Sequence, residues 1–392
     1  MKTFDFHEIG RLPEPGDNVA IATYALETGT KIRLDNSTFE IDSHVMEGHR
    51  FAIEAIDKGS YLYSWRLPFG RALRPIAAGG YVCNQEILDA LSVRQLDVLL
   101  PTEPNFEDWH EQFALDREKF EPGEQAAQVE TAETFSGYAR THDRGVGTRN
   151  YIVVLGTSRL TSGYVRMLAA RLQRSIEPSD SFDGIVHLAH TEGSGTATPN
   201  NLQMVLRTLA GLVVHPNVGA ILAVDSGGEA VNNRLLAGFM ETEAYPLQGV
   251  LHHFMSLDRS FEEALAAGEK LIRSWAGKVQ SMRRSAQPLS QLKLALQCGG
   301  SDAFSGISGN PLAAWIAHKA ICCGGSANLA ETDELIGAEP YMLQNVRDVE
   351  TAQKFLQMIE RFKERVSWHG ASHERRDHRY PDHRGRRLWA VG

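Results

Sequence analysis

Tyr151–Gly156 reads YIVVLG, and SGYVRMLAARLQRS follows at 162–175. The first run is short, β-branched and closed by glycine, which fits a buried strand. The second places apolar residues at helical spacing. The same couplet recurs downstream. FDGIVHLAH (182–190) precedes NNLQMVLRTLAGLV (200–213), and VGAILAVD (218–225) precedes EAVNNRLLAGFM (229–240). QGVLHHF (248–254) precedes FEEALAAGEKLIRSWAGKV (261–279), and LKLALQC (292–298) precedes NPLAAWIAHKAI (310–321). Repeated strand-then-helix order predicts an α/β domain of βα units on a mostly parallel sheet with helices on both faces. Ligands of such sheets gather beyond the carboxyl ends of the strands. The glycine-rich and polar segments fall in those loops: GTSRLTSG (156–163), HTEGSGTATPNN (190–201), DSGGEAVNN (225–233) and CGGSDAFSGISGN (298–310). That coincidence points to an enzyme.

Upstream the pattern differs. NVAIATYAL (18–26), ETGTKI (27–32), HRFAIEAIDKGSYLYSW (49–65) and GRALRPIAAGGYV (70–82) are short apolar runs broken by turn residues, which read as a small all-β module. PTEPNFEDWHEQF (101–113) and EKFEPGEQAAQVETAETF (118–135) are acidic and proline-containing and read as a linker with a helical turn or two. The resulting division is a β domain over 1–98, a linker over 99–140, an α/β domain over 141–370 and a basic tail over 371–392.

A formal charge of −9 offers no general attraction for nucleic acid or anionic lipid, which makes a small molecule the expected partner. The N-terminus, MKTFDFHEIG, has no basic region leading into an apolar stretch, and no run approaches the ~20 apolar residues of a membrane span. A cytoplasmic location is expected, with no membrane partner. Cys83, Cys298, Cys322 and Cys323 lack metal-ribbon spacing and are too few for a disulfide framework.

Several constellations carry chemistry. In DRGVGTRN (143–150), Arg144 and Arg149 suit bidentate carboxylate binding, or else belong to a solvated entry loop. His190 ends a strand beside Glu192, as a metal ligand, a proton-transfer group or a structural histidine. The glycines after it suggest a backbone nest for an anion, with Asn200 and Asn201 suited to capping the next helix. Asp225 and Glu229 offer hard oxygen ligands of the kind Mg²⁺, Ca²⁺, Mn²⁺ or Fe²⁺ accept, or caps for the following helix. The loop from Cys298 to Pro311 joins a thiol, a carboxylate, three serines and four glycines. Close backbone approach to a ligand is the usual use of such a loop. No Walker sequence and no clean G-x-G-x-x-G occurs, so nucleotide binding has no support.

Together these strings resemble the altronate and galactarate dehydratase family of sugar-acid hydro-lyases. DNVAIA (17–22), GHRFAIEAIDKG (48–59) and FGRALRPIAAG (69–79) resemble its N-terminal SAF-type β-clip domain. DRGVGTRNYI (143–152), HPNVGAILAV (215–224), LQCGGSDAFSGISGNP (296–311) and GGSANLAETDELIGAE (324–339) resemble its larger domain. The resemblance implies elimination of water from an aldonic or aldaric acid to a 2-keto-3-deoxy acid, with a divalent metal, Fe²⁺ or Mn²⁺ before Mg²⁺ or Ca²⁺. Sulfolactate lyases are similar, which leaves the leaving group open between water and sulfite. By resemblance and position, His190 is the base or a ligand, with Glu229 and Asp302 as oxygen ligands. Cys298 and Asp302 are catalytic, while Arg144 and Arg149 hold substrate carboxylate. Ser301 and Asn310 line the site, and His49 and Arg50 reach over from the small domain.

The chain also departs from the family pattern. Leu160-Thr-Ser162, Ser194 and Gly228 stand where thiols are usual, and Val82-Cys-Asn-Gln85 stands where paired histidines are usual. After SWHG (367–370) the family continues with a glycine-rich segment and a last βα region, whereas this chain carries the Arg- and His-rich tail, expected to be a replaced or frameshifted end or else a genuine basic disordered tail. Two functions stay open: a metal-dependent sugar-acid lyase, expected as a homodimer, or a non-catalytic paralogue that binds a sugar acid or an intact partner subunit. An oxidoreductase on the same pattern would lack its dinucleotide fingerprint.

Overall fold

A computed structural model describes residues 3–92, 100–109, 114–297, 299, 305, 306 and 308–368. Over these residues the chain forms two compact units, one of Met1–Val129, Lys293–Cys322 and Ser326–Gly392, the other of Glu130–Leu292 with Cys323–Gly325.

The second unit carries the predicted βα repeat: β1 (Tyr151–Gly156), α1 (Ser162–Gln173), β2 (Gly184–Leu188), α2 (Leu202–Val214), β3 (Val218–Asp225), α3 (Asn233–Thr242), β4 (Leu251–Ser256) and α4 (Phe261–Gln280). The strands are parallel throughout, in the order β2-β1-β3-β4. All eight residues of β3 are buried, as expected of a central strand covered on both faces. On one face Ile152, Val154, Leu222 and Val224 pack with Leu168 and Leu172 of α1 and Leu265, Ile272 and Trp275 of α4. On the other, Val153, Leu155 and Ile221 pack with Leu206 and Leu209 of α2 and Leu236 and Met240 of α3. Each such buried aliphatic side chain contributes about 2 kcal/mol. Ser260 and Glu263 form a capping box at the start of α4. Gly268 of α4 admits Tyr164, since a Cβ there would lie 2.6 Å from the phenol oxygen that donates to Ala264 O.

Strand order places the topological switch between β1 and β3, because the chain leaves β1 towards β2 on one side and returns past it to β3. The loops beyond Gly156 and Asp225 flank that switch, where ligands of open α/β sheets bind. Thr134–Ala139 lies between Val146–Gly147 and Ser285–Pro288 in a separate antiparallel sheet.

In the first unit, Gly10–Arg11, Val19–Ala22, Arg50–Ala52 and Tyr81–Val82 form an antiparallel sheet. Two hairpins flank its core, Lys31–Leu34 with Ser37–Glu40 and Tyr61–Ser64 with Leu67–Ala72. The second hairpin turns on Trp65 and Arg66, both with φ near +60°. That geometry is uncommon for residues with a side chain, and the buried Asp17 carboxylate holds it by accepting both N–H groups at 2.8 Å. The segment read as a linker with helical turns is partly extended instead. Phe106–Asp108 adds to the edge of Leu67–Ala72, because Phe106 fills the core beside Phe69, and Thr134–Ala139 is the strand noted above.

The βα couplet near residue 300, expected on the same sheet as the others, forms a separate two-stranded sheet in the first unit instead: Lys293–Leu296 pairs in parallel with Ser326–Leu329, with helix Gly309–Cys322 between them in sequence. Helix Val349–Trp368 follows. The tail over 371–392 lies outside the described residues. Among the described residues no helix is long and apolar enough to cross a membrane.

Candidate functional site

The switch between β1 and β3 is closed by hydrogen bonds that run from one loop to the other. Thr157 donates N–H and Oγ1–H to Val224 O over 3.0 and 3.2 Å. Ser158 donates Oγ–H to Glu229 Oε1 over 2.9 Å and accepts Leu160 N–H, capping the turn Arg159–Thr161. Glu229, 2% exposed, also accepts Ser226 N–H at Oε1 over 2.8 Å and Ser226 Oγ–H at Oε2 over 2.6 Å. Burial alone would raise its pKa, but the Ser226 and Ser158 donors outweigh burial and hold the carboxyl below its usual range.

His190 stands at the end of β2. Glu192 N–H donates to Nδ1 over 3.2 Å, so the ring proton lies on Nε2, which faces Gly156 O at 3.0 Å. Gly193 follows with φ +72°, and a Cβ there would come within 2.8 Å of Val231 Cβ. Glycine thus lets the His190 and Glu229 loops meet, and Ala230 N–H donates to Gly195 O across them. Asn201 occupies the N-cap position of α2 without capping it. Its amide donates to Glu192 Oε2 over 3.2 Å instead.

Arg144 and Arg149 are placed elsewhere. Arg144, 7% exposed, donates to Val214 O, Gly249 O, His215 O and Val218 O over 2.7–3.0 Å. Val218 opens β3 and Asp225 closes it, so at ~3.3 Å per residue Arg144 sits roughly 20 Å from the loops above. With its donors committed to main-chain carbonyls it ties the amino end of the sheet rather than presenting a fork to a substrate. Burial, then the charge of Arg140, pushes it down to about 10. Arg149 also precedes β1 and pairs with Asp183 at 3.3 Å. The expectation that these two arginines clamp substrate is corrected on that ground: residues before a strand reach its amino end.

In the other unit, His49 Nδ1 lies 2.6 Å from the hydroxyl of fully buried Tyr81, with the rings stacked at 5.9 Å. Arg50 lies over the Phe69 ring at 5.5 Å, and burial pushes it down to about 10. Asn310 is in the first turn of helix Gly309–Cys322. Cys298, Ser301 and Asp302 lie outside the described residues.

A divalent metal on His190 and Glu229 does not fit this arrangement. Both imidazole nitrogens are engaged, and both Glu229 oxygens accept hydrogen bonds. Among the described residues no three His, Cys, Asp or Glu side chains gather as a metal-ligating group. One residue at the switch escaped sequence reasoning. Arg159 is exposed, its N–H is anchored to Glu192 O at 3.1 Å, and its guanidinium has no ion pair among the described residues. Its place directly after the first strand was the available signal.

Comparison with known proteins gives the family. The D-galactarate dehydratase/altronate hydrolase second domain matches residues 137–280, the C-terminal domain of D-galactarate/altronate dehydratase matches 289–378, and the altronate/galactarate dehydratase SAF domain matches 12–90. An altronate dehydratase of Escherichia coli (strain K12) is 31% identical over 349 residues, covering 89% of this chain and 65% of that protein. An altronate dehydratase of Bacillus subtilis (strain 168) is 27% identical over 353 residues, with the same shares covered. The galactarate dehydratase (L-threo-forming) of Escherichia coli (strain K12) is 25% identical over 356 residues, covering 88% of this chain and 63% of that protein. The chain thus spans about two thirds of the length of these relatives. Since three domains of one family follow each other along it, the chain belongs to the altronate/galactarate dehydratase family.

Proposed function

We propose that the chain acts on a sugar acid by β-elimination of water, giving a 2-keto-3-deoxy acid from an aldonate such as altronate or an aldarate such as galactarate. The observation that carries this reading is the rim at the β1–β3 switch, where His190, Glu229 and the exposed Arg159 belong to adjoining loops. Elimination needs a base for the proton alpha to the carboxylate and positive charge where the enediolate develops. His190 Nδ1, which accepts the Glu192 N–H, is the ring's unprotonated nitrogen and the atom assigned to take that proton, which leaves with the β-hydroxyl as water before the enol tautomerises to the keto acid. Arg159 supplies a fork for the substrate carboxylate. Glu229, kept ionised by its serine donors, fixes the β3 loop. No step is assigned to a metal held by His190 and Glu229, since their ligand atoms are engaged. A cytoplasmic location and a homodimer belong to the same proposal.

A second reading has its own observation. The engaged nitrogens of His190, together with Ser194 and Gly228 at positions where thiols are usual, favour a protein that binds a sugar acid without converting it. An anaerobic assay separates the two: purified protein with Fe²⁺, Mn²⁺ or Mg²⁺ against hexonates, hexarates and sulfolactate, read as 2-keto acid or sulfite. Keto acid formation that falls in Arg159→Ala supports the dehydratase. Saturable binding of galactarate with no product supports the binder.

A further inference from the structure

The parallel sheet has two edge strands, β2 and β4, and the chain treats them differently. At β2 the side chain of Gln173, the last residue of α1, donates to Ile185 O over 2.7 Å. That strand also opens on Gly184, with φ +112°. No comparable device protects β4. Its sequence, LHHFMS, holds no proline, lysine or carboxylate, and it pairs with β3 through all six residues without a bulge. Soluble proteins blunt their open edges with such features, because an unprotected edge is a template for another strand.

The direction of the main chain on β4 follows from one bond. Leu257 N–H donates to Asp225 O over 2.9 Å. Alternate residues of a strand turn to the same neighbour, so Leu251, His253 and Met255 bond to β3, while the main-chain groups of His252, Phe254 and Ser256 face outwards. Ser256 O takes Asp258 N–H at 3.0 Å, and among the described residues no strand pairs with the rest. Both cores also run out to this edge. Leu251 and Met255 are partly buried against the core under α1 and α4, and Phe254 against the core under α2 and α3. A charged peptide finds no carboxylate, lysine or arginine on β4 to pair with. Two copies of the strand, by contrast, meet without like-charge repulsion.

We propose that β4 pairs with β4 of a second copy of this chain, antiparallel about a two-fold axis at Phe254, so that the two parallel sheets join into one continuous sheet. Centred there, Phe254 stands opposite its own copy and His252 opposite Ser256, which matches outward main-chain groups with outward ones in about six hydrogen bonds. Opposite residues of an antiparallel pair share a face, so the core under α2 and α3 continues across the axis through an aromatic pair. Such a contact is isologous and consumes the edge, and assembly stops at two copies. The inference rests on the homodimer proposed above and gives it an interface, independently of the reaction the chain catalyses.

The test is sedimentation equilibrium of the full chain from about 1 to 100 μM. A dimer is expected, with its dissociation constant raised at least about tenfold in His252→Pro, which removes an outward N–H, and in His253→Lys, which sets like charges near the axis at an exposed position. His187→Lys, exposed on the other edge, is expected to leave the dimer as it is. The lysine variants change exposed side chains, so they report on pairing even where the proline variant does not fold. A second measurement needs no variant: dilution below the dissociation constant should speed hydrogen exchange of the His252 and Phe254 amides while those of β3 hold. A monomer at every concentration would overturn both the homodimer and the interface. A dimer unmoved by His253→Lys, one broken by His187→Lys, particles larger than a dimer, or edge amides that exchange alike at all concentrations would each overturn the β4 pairing. Pairing through β4 with no keto acid formed from any substrate would refute the dehydratase reading and leave the interface standing.

Discussion

Arg144→Met tests whether this arginine holds the sheet or a substrate. The substitution strips a charged donor from four main-chain carbonyls. At about 2 kcal/mol for each buried acceptor left without its partner, that is a loss of about 8 kcal/mol. Against it stands the burial of the guanidinium itself, which pushes it down to about 10 and costs about 3 kcal/mol. The net loss is about 5 kcal/mol, enough to speed amide exchange in β1 and β3 by nearly four orders of magnitude. Hydrogen exchange read by mass spectrometry on peptides covering 150–156 and 214–224 measures it directly. Arg144→Lys should recover less than half, because an ammonium cannot fork to several carbonyls at fixed places. The same variant has a second readout. Burial, then the charge of Arg144, holds His215 below 6.5, and the imidazole should titrate closer to 6.5 once the charge is gone. Unchanged exchange together with weakened binding of a sugar acid would refute the tie and restore Arg144 as a carboxylate clamp.

Three further outcomes follow from the carboxyl edge. The folded-state pKa of Glu229 lies below its unfolded value, so its stabilisation is present above the ordinary carboxylate range and is lost as pH falls through the folded value. Glu229→Gln should therefore flatten the acid limb of a urea-midpoint against pH plot, and an unchanged limb would contradict the hydrogen bonds described. Gly193→Ala combines a left-handed φ with a Cβ 2.8 Å from Val231 Cβ, and should cost about 2 kcal/mol in chemical denaturation. A cost within about 0.5 kcal/mol would mean the two loops do not meet as described. Arg159→Ala, exposed and without an ion pair among the described residues, should leave the melting temperature within about 1 °C while raising KM for a sugar acid. A large fall in stability with unchanged KM would remove its assignment.

The parallel sheet was legible because YIVVLG and VGAILAVD are continuous apolar runs, each followed by a helical period, and a strand covered on both faces requires that composition. Phe106–Asp108 was hidden for the opposite reason. A three-residue edge strand inside an acidic, proline-containing stretch carries almost no period, and only the packing of Phe106 on Phe69 shows why it pairs. The loops of the switch were visible as clusters of glycine and polar residues, but the partners of those residues were not. Asn201 has the residue type of a cap and the position of a cap, yet Glu192, nine residues earlier, takes its amide. For Arg144 and Arg149 the information was present and unused: segment 143–150 precedes β1, so parallel-sheet geometry sends it to the amino end. Such a position favours tying residues over ligand-binding ones.

The Arg144 tie separates two kinds of tolerance within one domain. Its hydrogen bonds clamp the amino end of β3 to the chain before and after it, and none of them depends on the loops at the far end. Substitutions at Ser194 or Gly228 therefore act on the rim without loosening the strands that carry it. A lineage can then rewrite the chemistry of this edge one side chain at a time, each change judged on its effect at the site while the foundation stays indifferent.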